Sequence, residues 1–209
     1  MKVAILGGTG SFGRALAARL VAAGGHEVVI GSRDASRAEA SAAELGGCTS
    51  GATNDDAVRD VELAVLAVKA EGALDTARNV AGALGTTPLL SVASALSFAK
   101  DGVRPDPDAR SLAERIQDVV DAPVVAGLHS IAASNIGSEP AHEDALVCGD
   151  DEAAKALALE LAATVVAGRA LDAGPLANAR TLEGTTAVIV NLNRRYKAHA
   201  GVRISGLDS

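Results

Sequence analysis

The chain has 209 residues, 48% of them hydrophobic but only 1% aromatic, so Val, Leu, Ile and Ala must fill a core sized for one domain or one domain with a small appendage. A formal net charge of −7 excludes a general nucleic-acid binder, which needs a basic surface. No apolar run approaches the ~18 residues of a membrane span, and Cys48 and Cys148 stand far apart with no Cys/His cluster, which excludes a disulfide scaffold or a zinc site and points to a reducing, cytoplasmic setting.

The run KVAILG (2–7) reads as a strand, and residues 12–24 read as a helix with Leu16, Leu20 and Ala23 on one face. Between them Gly8, Gly10 and Gly13 form G-x-G-x-x-G, together with Thr9, Ser11 and Phe12. The pattern alone is weak. Placed after a strand, at the start of a helix and inside a βαβ unit, it is a dinucleotide-binding turn. The first glycine is expected to make the turn, the second to let a pyrophosphate approach the backbone, and the third to pack helix on strand. The phosphate would sit at the positive helix N-terminus.

HEVVIGS (26–32) is a second strand, followed by a helix over 34–45 capped by Asp34. Proteins that bind NAD carry an acid near the end of this strand, bonding the ribose 2′-OH. Here Ser32 and Arg33 stand in its place, with Arg37 one turn on. Two guanidiniums with the Thr9 and Ser32 hydroxyls suit a 2′-phosphate, hence NADP(H); the alternative is an ordinary solvated Arg pair.

Strands follow at 61–68, 87–94, 122–128, 144–149 and 169–174, with helices at 71–84, 108–120 and 151–165 and a long helix from Pro175 to about Tyr196. Pro105 and Pro107 mark a loop. Alternating strands and helices predict an α/β fold, a Rossmann-type doubly wound parallel sheet. The division expected is a nucleotide-binding domain over 1–140 and a small C-terminal lobe over 141–209. Val68 and Ala93, in the third and fourth strands, and Ala132 complete the cofactor-binding candidates.

Acid–base machinery is sparse. The only tyrosine is Tyr196 and position 200 is Ala, so the Tyr/Lys pair of short-chain dehydrogenases is absent. His26, His142 and His199 read as surface residues. His129 ends the strand APVVAGL on its carboxyl side, where open α/β sheets bind ligands; it reads either as a structural histidine or as one beside the nicotinamide. Hydride transfer between two flat rings needs alignment and a dry pocket more than a proton shuttle. Ala95, Ala132 and Ala133 are small enough to leave room for a broad second ring. No metal and no tightly bound flavin is expected.

KVAILGGTGSFG, HEVVIGSR, LHSIAA, VCGDD, LDAGPLANAR and NRRYKAHAGVRISGL together resemble the NADPH:coenzyme F420 oxidoreductases, over nearly the whole chain. The resemblance implies NADP(H), hydride transfer to or from the deazaflavin F420, and a homodimer. Carried over residue by residue, Thr9, Ser32, Arg33 and Arg37 would hold the NADP phosphates, and His129 and Ile131 would face the two rings. The stretches 68–73 and 91–102 depart from the family's usual proline-bearing loops and would shape the second-ring pocket. Other readings of the same pattern are an imine reductase, such as pyrroline-5-carboxylate reductase, and a non-catalytic NADP(H)-sensing protein.

Overall fold

The computed structural model describes residues 1–137 and 139–207. Apolar runs form the interior strands β1 (Lys2–Leu6), β2 (Glu27–Ser32), β4 (Leu63–Leu66), β5 (Leu89–Ser91) and β8 (Val124–Gly127). Each is buried almost throughout, as strands covered on both faces must be. With β3 (Thr49–Thr53), β9 (Ala145–Gly149) and β10 (Ala170–Asp172) they make one eight-stranded sheet, ordered β10-β9-β8-β5-β4-β1-β2-β3. The helices α1 (Ser11–Ala23), α2 (Ala35–Leu45) and α6 (Glu152–Val165) cover one face. The other face carries α3 (Asn54–Ala57), α4 (Ala70–Leu84), α5 (Leu112–Gln117) and the start of α7 (Ala179–Tyr196). The fold is Rossmann-type α/β, with its switch point between β1 and β4.

Several expectations need correction. The sheet is not parallel throughout: β9 runs antiparallel to β8, and β10 follows β9. Both late strands extend the main sheet rather than building one of their own. The strand β3, TSGAT, carries no apolar pattern because it is a half-buried edge. Residues around Pro105 are not a plain loop: β6 (Leu96–Ala99) and β7 (Gly102–Pro105) form an antiparallel hairpin with a turn at Lys100 and Asp101, and Gly102, at φ +145°, starts the return strand. The helix expected over 108–120 is confined to α5, because Ser111 caps it with a reciprocal Glu114 box. Ala23, the last residue of α1, is exposed.

Two side chains anchor α7 to distant backbone. Glu183 is buried and accepts from the N–H groups of Leu112 (3.1 Å) and Ala113 (3.2 Å), closing the N-terminus of α5. Burial pushes its carboxyl upward, against these donors. Asn191 pairs like a strand residue with Val103, accepting from its N–H (2.9 Å) and donating to its carbonyl (2.7 Å). Past α7 the tail returns to the sheet edge. There buried Asp144 accepts from the backbone N–H groups of Arg169 and Ile204 and from the Arg169 guanidinium, each at 2.8 Å.

Candidate active site

The glycine loop joins β1 to α1. Gly7 makes the turn, with φ +77°, where Gly8 had been expected to do so. A Cβ on Gly7 would lie 2.6 Å from Val68 Cγ1, so the loop is pressed against the end of β4. Gly8 instead packs: its Cβ would stand 2.9 Å from Ile30 Cγ2 and from the Ile5 carbonyl. At Gly13 a Cβ would stand 2.7 Å from the Gly7 carbonyl and Gly8 Cα, as the helix-on-strand role requires. Gly10 is exposed, and a Cβ there would meet only the Gly7 carbonyl, at 3.2 Å. The helix that Gly10 begins has no side-chain cap and no acid in its first turn. An uncapped helix start beside an open glycine surface is able to receive a phosphate.

These roles separate by experiment. Gly13→Ala is expected to lower stability by roughly 1–3 kcal/mol through backbone overpacking. Gly10→Ala should leave the melting temperature nearly unchanged while weakening NADPH. Thermal unfolding with and without NADPH checks both, and the reverse order of effects would refute the assignment.

At the end of β2, Ser32 is buried and its Oγ accepts from the Asp34 N–H at 3.2 Å. Asp34, the nearby acid, is committed to capping α2, accepting from the Arg37 N–H at 3.3 Å. Arg33 and Arg37 are exposed, and neither has an ion-pair partner among the described residues. Two cations thus stand at the strand end where an acid would face a ribose.

At the carboxyl ends of β4, β5 and β8 lies a cleft of about 460 Å³. Its walls come from Phe12 of α1, from Val68 to Glu71 after β4, from Val92, Ala93 and Ser94 after β5, from Leu96 and Phe98 of the hairpin, from Leu128, His129 and Ile131 after β8, and from Thr186 of α7. The strand ends therefore bring together Phe12, Val68, Ala93, His129 and Ile131 from the residues singled out in the sequence. Ala132 and Ala133 lie in the next turn of the loop, closed by the Asn135 N–H on the Ala132 carbonyl (2.9 Å), and neither lines the cleft. Ala95 is buried in the core. The small residues that leave room are Ala70 and Ala93.

His129 is buried, and desolvation pushes its pKa down to about 4, so it is a neutral imidazole at pH 7. Its Nδ1 is 3.1 Å from Ser94 Oγ, while Nε2 has no protein partner. Ser94 and Thr186 were missed by sequence reasoning: Thr186 meets Ser94 from 92 positions away, in a helix whose residues carry no binding motif. His142 and His199 are exposed, as expected. Cys48 and Cys148 are free; burial pushes the Cys148 thiol up to about 12, making it unreactive. Among the described residues no cluster of His, Cys, Asp or Glu is arranged to hold a metal.

A doubly wound sheet with a glycine cradle at its switch point and a ring-sized cleft beside it defines a dinucleotide-dependent oxidoreductase. Residues 2–95 match the family described as NADP oxidoreductase, coenzyme F420-dependent. The F420-dependent NADP reductase of Methanothermobacter marburgensis is 35% identical, over 99% of this chain and 99% of its own. That of Methanocaldococcus jannaschii is 32% identical over 100% of both. The chain belongs to the F420-dependent NADP reductase family. A candidate F420-dependent NADP reductase from Arthrobacter sp. FB24, 28% identical, superposes with a TM-score of 0.84 over 99% of this chain and 100% of that one. An imine reductase from Streptomyces aurantiacus, 22% identical, shares the fold with a TM-score of 0.62 over 94% of this chain and 62% of its own.

Proposed function

We propose that the cleft behind the glycine loop is where NADP(H) and coenzyme F420 meet. The protein is an oxidoreductase that transfers a hydride between them, as its family does. When both are bound, the chemistry is direct exchange between the nicotinamide C4 and the deazaflavin C5. Gly8 to Gly13 hold the pyrophosphate, and Ser32, Arg33 and Arg37 with Thr9 hold the 2′-phosphate side. His129 and Ile131 form the floor against the rings, with Phe12, Val68 and Ala93 as apolar walls that exclude water. His129 positions a ring and does not shuttle a proton, consistent with a neutral imidazole. The observation that carries the reading is the cleft itself: it adjoins the glycine loop through Phe12 and Val68, and its lining is mostly apolar, with Lys69, Glu71 and a neutral His129 as its ionisable groups.

Residues 1–140 carry the nucleotide side of this division. Residues 141–209 contribute α7 to the second-ring side while sharing the sheet. Stereospecifically deuterated NADPH is expected to bleach F420 and pass its label to it without washout. Label lost to solvent would rule out direct transfer; tight NADPH binding with no F420 reduction would move the protein to the imine-reductase or sensing readings.

The coenzymes are small-molecule partners, and a homodimer is the expected assembly. Val188, Leu192 and Tyr196 recur every four residues on α7 and are 58%, 41% and 68% exposed. Phe98 adds to them from the hairpin, stacked under Arg194 at 5.7 Å. A single apolar stripe of this kind fits a two-fold interface. Sedimentation should give a dimer that Leu192→Glu splits to monomers; a monomeric parent protein refutes it. No helix among the described residues is long and apolar enough to cross a membrane, and the two free cysteines fit a cytoplasmic location.

A further inference from the structure

We infer that the hydroxyls of Ser94 and Thr186 lock His129 with its proton on Nδ1, so that Nε2 is left beside the cleft as a bare hydrogen-bond acceptor for an amide-type N–H on a bound ring. The first half follows from proton counting. The Thr186 hydroxyl donates to the His129 carbonyl at 2.8 Å, which can only accept. Its single proton is then used, so at its 2.8 Å contact with Ser94 Oγ it accepts. Ser94 has therefore spent its own proton on Thr186. At 3.1 Å from His129 Nδ1, Ser94 can only accept, which requires Nδ1–H. With the opposite tautomer one of the three contacts has no proton to share. A neutral imidazole protonated on Nδ1 has a lone pair on Nε2.

That Nε2 is shut away from solvent without a protein partner, while its residue lines the cleft. A buried acceptor left unmade is costly. The group that satisfies it must be a donor, which selects against ligands offering only carbonyl or ring-nitrogen lone pairs at this point. This second half rests on the ring-binding reading above. Two sources share the required chemistry: the lactam N–H of a deazaflavin and the carboxamide N–H₂ of a nicotinamide. Ser94 and Thr186 are positioning residues, acting through His129.

The tautomer is tested without any coenzyme. Long-range ¹H–¹⁵N spectra of the ¹⁵N-histidine-labelled protein at neutral pH, assigned with His129→Gln, should show Nδ1 protonated and Nε2 bare. A protonated Nε2 overturns the inference whatever the enzyme's activity. Thr186→Val should scramble the tautomer signature, and Thr186→Ser should restore it. Thr186→Val unchanged from the parent would also overturn it, because the relay would then not set the state.

The ligand half is read from analogues lacking the donor. If the nicotinamide is the source, the 3-acetylpyridine analogue of NADP⁺ binds roughly two- to tenfold more weakly than NADP⁺, as for one lost hydrogen bond. If the deazaflavin is the source, its lactam N-methyl derivative shows that loss in KM. In Ser94→Ala the penalty should shrink toward none. No penalty for either analogue in the parent protein would overturn the acceptor role. A correct tautomer alongside no F420 turnover would instead point to failure of the proposed function.

Discussion

Replacing Asp144 with alanine is expected to lower the free energy of unfolding by about 3 kcal/mol, the lower end of the range for breaking a buried charge pair. The lower end applies because Arg169 keeps 35% of its side chain exposed while Asp144 keeps 1%. The substitution strands two backbone donors, on Arg169 and Ile204, together with the guanidinium. It also loosens the tail, because Arg169 further holds the carbonyls of Ile204 and Leu207. For a chain of this size the melting temperature should fall by roughly 6–12 °C. Asp144→Asn, which keeps one acceptor oxygen, should cost less.

The pH dependence has a definite sign. The Arg169 guanidinium, and then the backbone N–H groups of Arg169 and Ile204, hold this carboxyl far below the usual range. A depressed folded value means the contribution is complete above the unfolded carboxyl's pKa of about 3.9 and is lost as pH falls below it. Urea unfolding at pH 7 and in the acid range checks both statements. Equal stability of parent and Asp144→Ala at pH 7 would refute them.

Arg33→Ala is expected to weaken NADPH binding by at least about tenfold, one charge-assisted bond being worth ~1.5–3 kcal/mol, and to leave NADH nearly unaffected. Arg37→Ala should act in the same direction, and the double variant should lose most of the preference for the phosphorylated nucleotide. The reason lies at the end of β2. Asp34 is turned to the α2 N-terminus and Ser32 holds the turn, so the ribose side is left to two exposed cations. Screening by salt should narrow the gap between the nucleotides. Calorimetry on the parent protein decides the matter: equal affinity for NADPH and NADH would end the argument.

The parts of this molecule that were legible in the sequence are those written in local pattern. The glycine loop, the buried strands and the Asp34 cap each occupy a few consecutive residues, and the structure has each of them within the expected stretch, the strands shorter than the pattern put them. What escaped was set by tertiary context. The edge strand β3 is small and polar because one side faces water. The reversal of β9 leaves no mark on its own residues, since an apolar run reads the same in either direction. Assigning the turn to Gly8 rather than Gly7 shows that a motif gives spacing but not which glycine carries the positive φ. Ile131 and His129 line the cleft because they follow a strand end, a rule the sequence exposes. Thr186 lines it because α7 is anchored by Glu183 and Asn191, a consequence of packing that no neighbouring residue announces. Ala132 has the right size and stands near in sequence, yet the backbone turn carries it past the cleft.

The position of α7 also orders events during synthesis. The glycine loop, both arginines and the strands β1, β2 and β3 have all been synthesised by Thr53, and β4 with Val68, which packs against Gly7, follows soon after. The wall bearing Thr186 emerges only after nearly the entire polypeptide has been made, and it must then find Ser94 and His129, 92 and 57 positions back. A nascent chain would therefore hold the proposed nucleotide-binding elements well before it could complete the cleft that Thr186 closes.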